Sequence, residues 1–340
     1  MHLIEPGWGI RMLKFIAALA LFFAQSTFAG ISYFGYFSSA SDGLYDAIPY
    51  VSANSNTVFI ASGSTSVVLQ KLAEAQSRGM MAIVDVQHIL FPWSSSLLCT
   101  SSTCATDYAT AFYLFHQAIK AYDYMIAAYY IFDEPYWNNY LASIGQNGNY
   151  TFTYNSNLYW NLYSAVATVH TYAPGKPTAI VFGFPTMQGN GSNFQWMIPV
   201  NLDWIGFDGY VADGCNDQCA TNNFNTLAAI ARRTGQKLIA VVDAYWKAPP
   251  TLANESSVLD RINLWKQLIA ANANQVVAVL PFQFQTNASM SLYGADSMPL
   301  VNSCLSVYYQ QLRGYAYCSG TALVDSLNPW LVCYNDISCR

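Results

Sequence analysis

Charge is scarce in this sequence: Asp, Glu, Lys and Arg together make up 10% of its 340 residues, where an ordinary globular chain carries about a quarter. The balance is also acidic, at −5. A chain of this kind is no partner for nucleic acid or an anionic membrane, both of which select basic faces. Long hydrophobic runs are lacking as well. The apolar stretch Phe15 to Ala24 is about ten residues, half of the roughly twenty that a bilayer requires. Gly35-Tyr36-Phe37-Ser38-Ser39 after the first predicted strand is no Gly-rich phosphate turn, which argues against a dinucleotide-binding sheet. The absence of a G-x-S-x-G elbow, with His116 and His170 inside predicted helices and only His88 outside them, argues against a Ser-His-Asp hydrolase. No cofactor or metal is expected, since only the Asp85/His88 corner offers part of a metal-dependent phosphodiesterase site.

What is present begins with an export signal. Arg11 and Lys14 precede the short apolar run, and Thr27-Phe28-Ala29 supplies small residues before Gly30. Residues 1–29 are therefore expected to be cleaved, leaving 311 of 340 residues and a protein that works in the secreted or periplasmic space. The loss of Glu5, Arg11 and Lys14 leaves 12 basic and 18 acidic residues, a net charge of −6. Eight cysteines remain, an even set suited to disulfides in an oxidising compartment. Cys99 with Cys104 and Cys215 with Cys219 are spaced to staple loops. Cys304, Cys318, Cys333 and Cys339 tie down a tail through any of three connectivities. No His lies near these cysteines, which disfavours zinc. Asn149, Asn190, Asn254 and Asn287 open glycosylation sequons.

Short β-branched and aromatic runs alternate with helical patterns, the signature of βα units around a parallel sheet. Strands are predicted at Ile31–Phe37, Thr57–Ala61, Met80–Asp85, Ile126–Phe132, Pro177–Phe182, Leu202–Phe207, Lys237–Val242 and Val276–Phe282. Helices are predicted at Ser64–Arg78, Thr106–Tyr124, Tyr154–Tyr172, Asn222–Thr234, Ser256–Ala271 and Pro299–Leu312, with short ones near Tyr45–Val51 and Phe194–Pro199. Eight strands close a barrel. The fold class is α/β, a single (β/α)8 TIM barrel over residues 30–312, followed by a cystine-bound extension at 313–340. A monomer is expected.

In such a barrel the C-terminal strand ends build the site. Taken in order they offer Tyr36; Asp85, Gln87 and His88; Asp133, Glu134, Tyr136 and Trp137; Asp208 and Tyr210; Asp243, Tyr245 and Trp246; and Gln283 with Gln285. Carboxylates beside aromatics suit glycosidic cleavage, in which one carboxyl protonates the leaving oxygen and rings hold the sugars. Aromatics reach 16% of the chain. Composition alone is better served by an aromatic core, so Tyr36, Trp93, Tyr136, Trp137, Tyr210 and Trp246 stand as candidate sugar platforms or as packing. Elimination points to Glu134. Of three glutamates after cleavage, Glu74 lies in a helix and Glu255 begins another, leaving Glu134 at a strand end with Tyr130, Tyr136 and Trp137 to desolvate it. Asp85 either bonds backbone amides or His88 or serves the site. Asp208 either makes a turn with Gly209 or tunes the acid and binds hydroxyls.

Tyr129-Tyr130-Ile131-Phe132-Asp133-Glu134-Pro135 resembles the Asn-Glu-Pro of the fourth strand in the barrel clan of cellulases and β-mannanases. Trp204-Ile205-Gly206-Phe207-Asp208-Gly209-Tyr210 is similar to its sixth strand. The resemblance implies that Glu134 is the acid/base. It departs from the clan at Asp133, which replaces Asn, and at Asp243, which stands where the clan keeps a nucleophilic Glu. Asp243 then acts as nucleophile or base. The Asp133-Glu134 pair also resembles that of barrel hexosaminidases in which the sugar's own acetamide attacks. The non-catalytic alternative is a barrel that only binds polysaccharide.

Overall fold

The computed structural model describes residues 30–37, 40–41, 46–91, 102–136 and 156–313. Residues 1–29, where the export signal is expected, Trp93, Cys99, Trp137, Cys318, Cys333, Cys339 and the tail after Arg313 lie outside the described residues. The chain begins with β1 (Tyr33–Phe34), β2 (Ala40–Ser41), α1 (Ile48–Val51), β3 (Thr57–Ala61), α2 (Thr65–Ser77), β4 (Met81–Asp85) and α3 (Gln87–Leu90). It continues through α4 (Ser102–Ile119), β5 (Ile126–Asp133), α5 (Ser156–Tyr172), β6 (Thr178–Gly183), α6 (Phe184–Asn190) and β7 (Trp204–Asp208). It ends with α7 (Asp217–Thr234), β8 (Lys237–Ala240), β9 (Tyr245–Trp246), α8 (Leu252–Ala271), β10 (Val276–Val279), β11 (Tyr293–Gly294) and α9 (Pro299–Leu312).

The main sheet runs β1-β10-β8-β7-β6-β5-β4-β3-β2, with every pairing parallel. Its two ends, β1 and β2, are pieces of the same first strand, so the sheet returns on itself as eight staves. At the seam the Gly35 and Phe37 amides donate to Val279 and Pro281 on one side, while the Phe34 carbonyl accepts from the Asn56 amide on the other. The approach there is close: a Cβ on Gly35 would stand 1.9 Å from the Thr57 carbonyl oxygen. This is the (β/α)8 barrel expected from the sequence.

Alternation divides the strand side chains between two layers. Phe37, Phe59, Ile83, Tyr130, Val181, Ile239 and Leu280 fill the barrel. Phe34, Val58, Ile60, Val84, Ile180, Phe207 and Ala240 face outward to the helices. Three helices, α4, α7 and α8, begin earlier than the apolar periodicity suggests, the last two because their caps lie in polar runs. The Asn216 side chain accepts from the Cys219 amide to start α7, and Thr251 accepts from the Asn254 amide to start α8. Among the described residues no helix is long and apolar enough to cross a membrane.

Candidate active site

The fourth stave carries a break in its alternation. Tyr130 pairs with Ala179, but the next pair is Phe132 with Ile180, leaving Ile131 as an extra residue. Tyr130 faces the interior, whereas Ile131 and Phe132 both face the helices. This bulge re-aims the side chains beyond it. Asp133 now pairs with inward-facing Val181 and turns into the mouth, where regular alternation would send it outward. Glu134 comes next with φ 44°, a left-handed conformation held by its amide bond to the Val181 carbonyl, 3.0 Å. Such a backbone costs a non-glycine residue about 1–2 kcal/mol. Together, bulge and left-handed turn bring two consecutive carboxylates to one side of the strand.

Gly183 makes room for the second of them. It ends β6, opposite Asp208 on β7. A Cβ on Gly183 would stand 2.5 Å from Glu134 Oε1. The Glu134 side chain therefore lies across the bare end of the fifth stave and hydrogen-bonds the carboxyl of Asp208 on the sixth. Asp85 completes the group from the third stave, beside Tyr130 in the register. The Tyr130 hydroxyl donates to Asp133 Oδ1 at 2.7 Å, Gln87 Oε1 accepts from the Asp133 amide at 2.9 Å, and Asp85 Oδ1 accepts from the Gln87 amide at 2.8 Å.

Burial and mutual repulsion hold these acids above their ordinary range. Glu134 is pushed up to about 7, first by burial and then by the negative charge of Asp133, against the opposing bond to Asp208. Asp85 is pushed up to about 7 by burial, with Asp133 adding to it and the Gln87 amide opposing. Burial also raises Asp133, opposed by the Tyr130 hydroxyl. Asp208 is raised well above the usual carboxylate range, by burial and then by Glu134 and Asp133. Asp208 is 8% exposed, and its Oδ1 meets no N–H or O–H donor. Its carboxyl neighbour can donate to it only while a proton remains between the two.

Asp243 sits elsewhere. After inward-facing Ile239 and Val241, and between outward-facing Val242 and Ala244, alternation would aim it into the mouth, but its carboxylate is tied to Trp265 of the outer layer. The Asp243 carboxylate is fully buried and accepts from the Val211 amide at 2.6 Å and the Trp265 indole at 3.0 Å. Burial pushes it up to about 6, with nearby Arg261 opposing. It is absent from the charges that act on Glu134.

The other candidates divide. Tyr210 forms a wall of the mouth, stacked on Phe282 at 5.2 Å and edge-on to Tyr245 at 5.0 Å, with its hydroxyl 3.4 Å from Asp208 Oδ2. Tyr36 is instead buried in the outer layer against Phe284. Tyr136 is buried too, its hydroxyl donating to the Met197 carbonyl. Gln283 is buried and donates to the Gln285 carbonyl, and Gln285 accepts from the Asp46 amide. Trp246 is half-buried on β9, paired with β11. His88 is exposed. Two other glutamates have structural partners: Glu74 pairs with Lys71 and Arg78, and Glu255 caps α9 through the Leu300 and Val301 amides. Cys215 and Cys219 form the expected disulfide, and Cys304 is disulfide-bonded. Cys104 lies in α4, but its side chain is outside the described residues.

Sequence reasoning missed Gly183 and the bulge at Ile131, and it valued Tyr130 only as a pocket wall. The end-of-strand glycine beside Asp208 was the available signal.

A parallel barrel with acids at its C-terminal mouth is the architecture of many glycoside hydrolases. Solved structures similar to this chain include the β-glycosidase BGL167, at 9% identity and TM-score 0.57 over 78% of this chain and 85% of that one. The endo-β-1,4-mannanase of Thermotoga petrophila matches at 8% identity and TM-score 0.58, covering 86% and 78%. The intracellular xylanase TsXylA of Thermoanaerobacterium saccharolyticum matches at 13% and 0.53, covering 76% and 88%. At such identities the likeness is one of fold. No protein-family model and no curated protein matches the sequence.

Proposed function

We propose that the chain is an exported glycoside hydrolase with Glu134 as its general acid. The observation that carries this reading is the Glu134 carboxyl, held over Gly183 against Asp208 and pushed up to about 7. At that value the group is still protonated often enough near neutral pH to give its proton to a leaving glycosidic oxygen as the C–O bond breaks. Asp208 tunes this acid. Two hydrogen-bonded carboxyls lie too close together for the 5–5.5 Å of a retaining pair, so Asp208 is not the nucleophile opposite it. Asp133, fixed by Tyr130 and Gln87, assists at the sugar.

A second reading gains from the position of Asp243. With both oxygens engaged in the outer layer, it is a poor nucleophile, which favours substrate-assisted cleavage of an N-acetylhexosaminide with Asp133 orienting the acetamide. The export signal at 1–29, the catalytic barrel at 30–312 and the cystine-bound extension at 313–340 form part of the proposal.

The test is release of reducing ends by the mature protein and by Glu134→Gln from a panel of polysaccharides and N-acetylhexosaminides. The variant is expected to lose about 10²–10⁴-fold on the active substrate. If the wild type cleaves nothing while both proteins bind a glycan, the barrel is a binding protein instead.

A further inference from the structure

The chain that follows β7 carries the Tyr210 wall of the mouth, and a side chain of α8 holds it from behind. Arg261 is 1% exposed, a costly place for a guanidinium unless its donors are used. Its Nε donates to Asp217 Oδ1 at 3.1 Å, its Nη1 to the Gly209 carbonyl at 3.4 Å and its Nη2 to the Cys215 carbonyl. One fork thus ties residues 209, 215 and 217 together. Asp243 lies near enough to feel the charge of Arg261, but its oxygens accept from the Val211 amide and the Trp265 indole.

These bonds bracket Tyr210. The carbonyl before it, on Gly209, accepts from Arg261. Its own carbonyl accepts from the Asp213 and Cys215 amides, and the amide after it, on Val211, donates to Asp243. Trp265, which holds the other Asp243 oxygen, lies four residues beyond Arg261 on the same face of α8. Cys215 also belongs to the disulfide with Cys219, and a Cβ on Gly209 would stand 2.9 Å from its sulfur. The ring fixed in this way lines the mouth, its hydroxyl 3.4 Å from Asp208 Oδ2.

We propose that Arg261 is a positioning residue, which fixes the segment 209–217 so that Tyr210 stands beside Asp208 in the mouth. A guanidinium offers five donors in a rigid fork, whereas lysine is a single point charge and cannot span acceptors on three residues. That Arg261 orders the segment rests on the bonds alone. That this order matters for turnover rests on the glycosidase reading.

Two measurements on the mature protein and on Arg261→Lys test it. The first is amide hydrogen exchange. The Val211 and Cys215 amides should exchange about tenfold faster in the variant, while the amides of β7 keep their wild-type protection. The second is a double-mutant cycle with Tyr210→Ala on whichever glycan is cleaved. Arg261→Lys should lower kcat/KM about tenfold when Tyr210 is present, and by less than about threefold when it is already gone. Unchanged exchange in the segment, exchange raised equally throughout the barrel, or additive losses in the cycle overturns the proposal. Should Arg261→Lys fail to fold, Asp217→Asn takes its place, since that side chain is 74% exposed and its loss frees Nε. The same signs are then expected at about threefold. The two readings fail separately. If the wild type cleaves no glycan the hydrolase falls, and hydrogen exchange still decides whether Arg261 orders the segment. Cleavage that is lost in Glu134→Gln, with unchanged exchange in Arg261→Lys, keeps the hydrolase and sinks the clamp.

Discussion

Asp208 and Asp243 end neighbouring staves of one barrel, both are buried, and they are built to opposite purposes. Asp243 has a donor for each oxygen and an arginine nearby, so burial moves it only to about 6. Asp208 has no cation, an oxygen without a donor, and two other acids pressing on it. Burial is therefore a poor guide to where chemistry happens. The informative quantity is how much of a buried carboxyl's hydrogen bonding the protein leaves undone.

The sharpest way to break this contrast is at Gly183, which serves only the Asp208 side. Gly183→Ala suits the backbone, but its methyl would occupy the space of the Glu134 carboxyl. The turnover rate should fall about 100-fold, the scale of an ångström's misplacement, while the melting temperature changes little. Activity close to wild type would mean that the acid does not work from this position.

Asp243→Asn probes the other side. Asn turns one acceptor into a donor facing the Val211 amide or the Trp265 indole, which should cost about 1–3 kcal/mol of stability, read as a lower melting temperature. The turnover rate should stay within roughly threefold of wild type, because nothing that reacts is removed. A loss of several orders of magnitude would restore Asp243 as the nucleophile.

The smallest effect is a shift in pH. Glu134 must be protonated to act, so activity should fall as pH rises through about 7. The charge of Asp133 helps to hold that value up, and in Asp133→Asn the alkaline limb of the normalised profile should move to lower pH. Asp243→Asn should leave the limb in place. An unmoved limb in Asp133→Asn would show that the titrating group is not Glu134.

Much of this was legible in the residues alone. The strand Thr57–Ala61 and the helix Pro299–Leu312 fall where β-branched runs and apolar periodicity set them. The scarcity of glutamate singled out Glu134, while Glu74 and Glu255 hold structural partners. Side-chain direction was less legible. Regular alternation sends Asp133 to the helices and Asp243 to the mouth, yet Asp133 turns into the mouth and the Asp243 carboxylate bonds Trp265 of the outer layer. At Asp133 the cause is a bulge centred on an ordinary isoleucine, with no glycine or proline to announce it. At Asp243 it is partners more than 20 residues away, the Val211 amide and the Trp265 indole. The aromatics show the same limit: Tyr36 and Tyr210 both end strands, yet one packs beneath helices and the other lines the mouth.

The bulge has a consequence for anyone who would transplant this site. An Asp-Glu pair grafted onto the fourth strand of a regular barrel would be torn apart, one carboxyl turned to the helices and the other left inside. The smallest portable unit is the bulged strand, its left-handed last residue and the bare glycine on the next stave, moved together.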